Sequence, residues 1–98
     1  MALRDDATLL ILTSLAGGPK HGYAMIEDIA SITGIRLGPG TLYGAIGRLE
    51  AEGFIAALES DDRRRPYEIT ATGRRHLEME IGGMKGLVAT GLRRLKRA

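Results

Sequence analysis

The sequence contains no cysteine. Disulfide staples and thiolate metal sites are therefore excluded, and the absence fits a reducing compartment. Histidine occurs only at His21 and His76, and neither a G-x-S-x-G nor an H-E-x-x-H arrangement is present. Nucleophilic or zinc-dependent catalysis thus has no constellation to use. Glu78 and Glu80, two apart on a predicted helix, point to different sides and form no paired-carboxylate site. Gly38, Gly40 and Gly44 lack both the G-x-G-x-x-G spacing and a following lysine, so no nucleotide cradle is indicated. No enzyme activity, metal or cofactor is expected. The apolar run near the start is preceded by Asp5 and Asp6 and broken by Thr13 and Ser14. It resembles neither a secretory signal nor a membrane span, and a cytoplasmic protein is the default reading.

The 98 residues suffice for one small domain with little apolar area to spare, so folding assisted by a partner subunit is plausible. Charge is unevenly distributed. Residues 1–62 hold four of the 14 Lys/Arg and nine of the 12 Asp/Glu, whereas residues 63–98 hold ten and three. Such basicity fits either a polyanionic partner or a solvated helix face.

Hydrophobic spacing predicts the elements. Asp5 or Asp6 can cap a first helix that Leu9, Leu10, Ile11, Leu12 and Leu15 make apolar nearly all round, with Gly17-Gly18-Pro19 as its stop. So apolar a helix suggests a second face against another subunit, although the LLIL run also reads as a buried strand. A second helix is expected from His21 to Thr33, ended by Gly34, with Glu27 and Asp28 outward and His21 structural, packing or capping. Gly38 as N-cap and Pro39 at the first position open a third helix, with Leu42, Ile46 and Leu49 on its inner stripe and Gly53 beyond its end. Phe54–Leu58 and Arg65–Ile69 read as a hairpin around a charged tip, the second strand tolerating Pro66 only at a sheet edge. Thr70 caps a last helix in which Leu77, Ile81, Met84, Val88, Gly91 and Leu95 alternate at heptad spacing. Several glycines would leave that helix weak without packing.

Three helices, a β-wing and a long terminal helix form a mainly α (α+β) winged helix-turn-helix. Residues 1–70 make the DNA-binding part, and 71–98 the dimerisation helix of the same structural unit. In this layout the helix after the turn enters the major groove and the wing touches the backbone. Thr41 and Tyr43 can donate to phosphates or base edges, unless Tyr43 packs on the second helix instead; Arg48 lies on the same outer side. Arg63, Arg64 and Arg65 at the wing tip suit phosphate or minor-groove contact, with Asp61 and Asp62 positioning or partly neutralising them. Lys20 and Arg36 are either phosphate contacts or ordinary surface cations.

The segments GPKHGYAMIEDI, GPGTLYGAIGRLEAEGFI and RRRPYEITATGRRHL resemble the PadR family of bacterial transcriptional regulators, in its short subgroup with one C-terminal helix. The resemblance implies a homodimeric repressor on a near-palindromic double-stranded DNA operator, released by a small-molecule effector, with no membrane association. It assigns DNA contact to Lys20, Tyr23, Thr41, Tyr43 and Arg63–Arg65. The dimer interface is expected at Leu9, Leu12, Leu77, Ile81, Met84, Val88, Leu92 and Leu95. Gly44 and Gly47 stand where relatives carry proline and a larger side chain, so base readout by this helix is expected to be sparse. Tyr23, Tyr43, Phe54 and Tyr67 are the only aromatics, and none lies in the first or last helix to stack an effector. The alternative is a winged-helix protein-interaction module whose basic wing meets an acidic protein surface.

Overall fold

The computed structural model describes residues 6–61 and 63–97. Its helices are α1 (Ala7–Ala16), α2 (Gly22–Thr33), α3 (Pro39–Ala51) and α4 (Ala71–Arg97), and its strands β1 (Lys20–His21), β2 (Ile55–Ala57) and β3 (Pro66–Ile69).

Local chemistry sets the ends of these elements. The Asp6 carboxylate accepts from the Leu9 N–H at 3.0 Å and caps α1, whereas the other candidate, Asp5, lies outside the described residues. His21 Nδ1 accepts from the Ala24 N–H at 3.2 Å and caps α2, which ends at Gly34 with φ 76°. Gly38 and Pro39 open α3 as expected. At its other end Gly53 turns to φ 77°; its N–H reaches the Glu50 carbonyl at 3.0 Å, and the Phe54 N–H reaches that of Leu49 at 2.9 Å. A residue with a Cβ is strained in that left-handed turn.

The wing is part of a three-stranded antiparallel sheet ordered β1-β3-β2, not an isolated two-stranded hairpin. Lys20 pairs with Tyr67 and His21 with Pro66 on one side of β3, while Ile55 pairs with Ile69 and Ala57 with Tyr67 on the other. This corrects the edge placement of Pro66. It sits in the central strand, tolerated there because the first residue of a strand need not donate to the ladder. A two-residue β1 carries too little pattern for sequence periodicity to detect.

The apolar residues of α1 find their cover inside the protomer. Ala7, Leu9, Leu10, Ile11, Leu12 and Leu15 are all buried within the protomer, because α1 runs through its centre against α2, α3, β3 and α4. Leu12 has no surface left for a partner, and Leu9 and Leu77 are likewise core residues. Buried Ser14 donates to Asp28 at 2.7 Å, so Asp28 faces inward rather than outward. Lys20 completes this cluster. Its ammonium donates to the Ser14 carbonyl at 2.6 Å and the Gly18 carbonyl at 3.1 Å, and lies 3.9 Å from Asp28. A cation here complements the negative dipole end of α1, adding to the bond that the Ser14 carbonyl already accepts from the Gly17 N–H at 3.2 Å.

Thr70 welds α4 to the end of α3. Its hydroxyl donates to the Gly53 carbonyl at 2.6 Å and accepts from the Gly73 N–H at 3.0 Å, while its own N–H reaches the Phe54 carbonyl at 3.0 Å. Gly73 packs so tightly that a Cβ there would collide with the Phe54 carbonyl and come within 2.9 Å of Ile69 Cγ1. Phe54 then stacks on His76 with centroids 4.5 Å apart. Beyond Leu77 the helix leaves the body: Met84 is half-buried against the core, whereas Val88, Leu92 and Leu95 are exposed.

Gly73→Ala is expected to destabilise the protein by about 3 kcal/mol, since backbone rather than a flexible side chain must yield; urea unfolding measures this. Lys20→Met is expected to cost about 1 kcal/mol by removing the cation and its hydrogen bonds at the C-terminal end of α1, read as a lower urea midpoint at unchanged m-value.

Candidate nucleic-acid interface

The inner stripe of α3, Leu42, Ala45, Ile46 and Leu49, is buried and fixes which side faces out. Gly40, Thr41, Tyr43, Gly44, Gly47 and Arg48 are exposed. An ideal Cβ at Gly40, Gly44 or Gly47 would meet nothing within 4 Å, so nothing in the protomer requires glycine there. The exposed side of α3 consequently offers Thr41, Tyr43, Arg48 and the acidic Glu50 as its polar side chains over a nearly bare backbone.

The sheet brings the wing to the same side. A hollow of about 560 Å³ lies between α2, α3 and the wing, lined by Tyr23, Tyr43, Tyr67 and the run Arg63–Arg65. All three arginines are exposed. Asp61, exposed beside them, lines a neighbouring hollow with Arg63 and Arg65, while Asp62 lies outside the described residues. Cations and phenol donors converging on one concave surface suit an oxyanion. Tyr67 closes its floor: burial pushes the phenol above its ordinary range, helped by the negative charge of Glu50 and opposed by Arg65. Tyr67 and Gly22 were not singled out as site residues from sequence. The β1 pairing that places Tyr67 beside Lys20 is what brings them in.

Tyr43 and Tyr23 are about half exposed. Tyr43 also lies across Gly22, where an added Cβ would come within 2.5 Å of the phenol oxygen, so it packs on α2 while about half of its surface stays exposed. Two expected contacts are less available. Lys20, expected as a phosphate contact, has its ammonium engaged with the Ser14 and Gly18 carbonyls and lies 3.9 Å from Asp28. Arg36 is ion-paired with Glu27, and the pair raises its basicity while holding the Glu27 carboxyl below its usual range. The nearby Tyr23 phenol lowers the same carboxyl further. Arg36 still lines a second hollow of about 670 Å³ with Thr41, Gly44 and Arg48.

The expected subunit contacts divide into two sets. Leu9, Leu12 and Leu77 are internal. Ile81 and Met84 instead border an apolar hollow of about 200 Å³ with Leu9, Leu10, Thr13, Ile29, Ile32 and Thr33, in which Ile32 is exposed. Val88, Leu92 and Leu95 continue the stripe outward into solvent. Among the described residues no helix is long and apolar enough to cross a membrane.

Comparison with known proteins agrees with this architecture. Residues 11–79 match the model of the transcriptional regulator PadR-like family. A transcriptional regulator of Mycobacterium tuberculosis, Rv3488, is 39% identical over 74 residues, covering 72% of this chain and 68% of that protein. An uncharacterised 37.1 kDa protein of a Streptomyces fradiae transposon is 48% identical over 83 residues, or 85% of this chain; the match spans only 24% of that longer protein. Among solved structures, a PadR family transcriptional regulator from Eggerthella lenta superposes with a TM-score of 0.76 at 30% identity, covering 95% of this chain and 84% of that one. With a family match over most of its length and the same winged-helix fold, the chain belongs to the PadR-like family of transcriptional regulators.

Proposed function

We propose that the protein is a sequence-specific DNA-binding repressor acting as a homodimer. The observation that carries this reading is the convergence of the exposed α3 face and the arginine-lined hollow on one side of the molecule. Thr41, Tyr43 and Arg48 meet the major groove, while Arg63–Arg65 hold the flanking backbone. With three glycines on the outer face of α3, base contacts are few and phosphate contacts supply much of the affinity.

Dimerisation follows from the uncovered half of α4. The stripe that packs on α1 at Leu77 continues as Val88, Leu92 and Leu95 with no cover inside the protomer. A partner's α4 seated over Ile32, Ile81 and Met84 buries both faces, pairing two readers for a near-palindromic site with half-sites about 34 Å apart. A small apolar effector entering this seam would alter the separation of the two α3 helices and so release DNA. The protein-interaction alternative has no acidic partner surface in its support.

Selection from a random duplex library, followed by anisotropy titration in a salt series, tests the reading. A recovered palindromic site with steep salt dependence is expected; binding equal on all duplexes would overturn sequence specificity. Arg63, Arg64 and Arg65 replaced together by alanine should weaken binding on every sequence and reduce the slope of log K against log salt by about 2 to 3. Val88→Glu should yield monomers by sedimentation, because the charge would be buried unpaired in the seam. An intact dimer in that variant removes the α4 stripe from the interface.

A further inference from the structure

Gly22 is buried at the first position of α2, and its backbone does not need glycine. The positive-φ glycines are Gly18, Gly34 and Gly53, so Gly22 lies outside that set. Helical backbone favours alanine over glycine, by up to about 1 kcal/mol in a helix interior, so the reason for glycine here lies in its surroundings. The closest part of those surroundings is one side chain. A Cβ on Gly22 would meet Tyr43 at 2.5, 2.7 and 2.9 Å, from the hydroxyl oxygen back along the ring edge, with no other residue among its nearest neighbours. The Tyr43 hydroxyl, in turn, has no hydrogen-bond partner among the described residues, although its ring is held against α2 and faces the hollow lined by Arg63–Arg65.

We infer that Gly22 is a positioning residue for DNA binding: its missing Cβ lets the Tyr43 phenol lie across the first turn of α2, where it donates to one backbone phosphate clasped by the wing arginines. The inference rests on the reading that DNA lies on this face. A phenol is neutral at physiological pH, so it adds a directed donor to the phosphate without adding charge. Its orientation is thereby fixed before binding, and the ordering cost of a freely rotating side chain falls on folding rather than on association. A Cβ at position 22 displaces the hydroxyl from the arginines while leaving every cation in place.

A double-mutant cycle on the full chain tests this. Gly22→Ala and Tyr43→Phe are each expected to weaken operator binding by about tenfold, the loss of one hydrogen bond to a charged acceptor, at an unchanged salt slope. In a Tyr43→Ala background, Gly22→Ala should cause no further loss of affinity and should raise the melting temperature, because the clash is gone and alanine favours the helix. A duplex with a single neutral methylphosphonate, moved along the operator, should reveal one position that weakens the wild type but not Tyr43→Phe. Equal losses for Gly22→Ala with Tyr43 present or absent would overturn the positioning role. Full affinity in Tyr43→Phe would overturn the phosphate contact. If the wild type binds no duplex, the DNA reading itself fails, and the reversal in melting temperature then reports on the packing alone.

Discussion

The contact on which the rest of the molecule depends is the meeting of Gly73 with the Phe54 carbonyl, locked by Thr70. Three elements with separate roles touch there: the end of α3, the start of β2 and the start of α4. Thr70 uses both its hydroxyl and its N–H to hold the turn at Gly53 and Phe54, and the same hydroxyl caps α4 through Gly73. The angle at which the long helix departs is thus set by hydrogen bonds to the turn that follows α3. A shift of α4 cannot occur without moving α3 or breaking that cap. Helix caps and tight glycine contacts are stiff compared with side-chain packing, which suits a junction that must transmit geometry rather than absorb it.

A second constraint is the single buried helix through the middle. In so small a domain, α1 serves as core for α2, α3, β3 and α4, which explains why seven of its ten side chains are apolar. Its one buried hydroxyl, Ser14, is satisfied by Asp28, and Lys20 closes the cluster by taking the carbonyls at the end of the helix. Polar groups near the core are tolerated here because donors and acceptors are matched.

Much of this was legible in the sequence, and the failures share a cause. Helix ends were readable because Asp6, Gly34, Gly38-Pro39, Gly53 and Thr70 act locally, each on backbone within a few residues. The third strand was not, because two residues cannot show a period of two, and Pro66 was therefore placed at an edge. The all-round apolarity of α1 was readable but ambiguous: a second subunit and a complete intramolecular shell call for the same residues. Lys20 and Arg36 carried charges whose partners, Ser14, Asp28 and Glu27, lie across the fold or on a neighbouring helix. Gly22 and Tyr43 are 21 positions apart, and only the packing of α2 on α3 makes the glycine meaningful.

The glycines of α4 have a consequence for how the protein behaves at different abundances. A Cβ at Gly82, Gly83, Gly86 or Gly91 would meet nothing within 4 Å, and each glycine lowers helix stability by about 1 kcal/mol. The outer half of this helix is therefore poorly self-supporting, and its order must come from whatever covers Val88, Leu92 and Leu95. If a second copy is that cover, folding of the helix and assembly are one equilibrium governed by mass action. Dilution would then unwind the outer helix as well as separate subunits, leaving a protomer whose winged domain persists without its pair. Occupancy of a two-part site would rise more steeply than in proportion to the amount of protein, so that the concentration of the regulator itself becomes a signal.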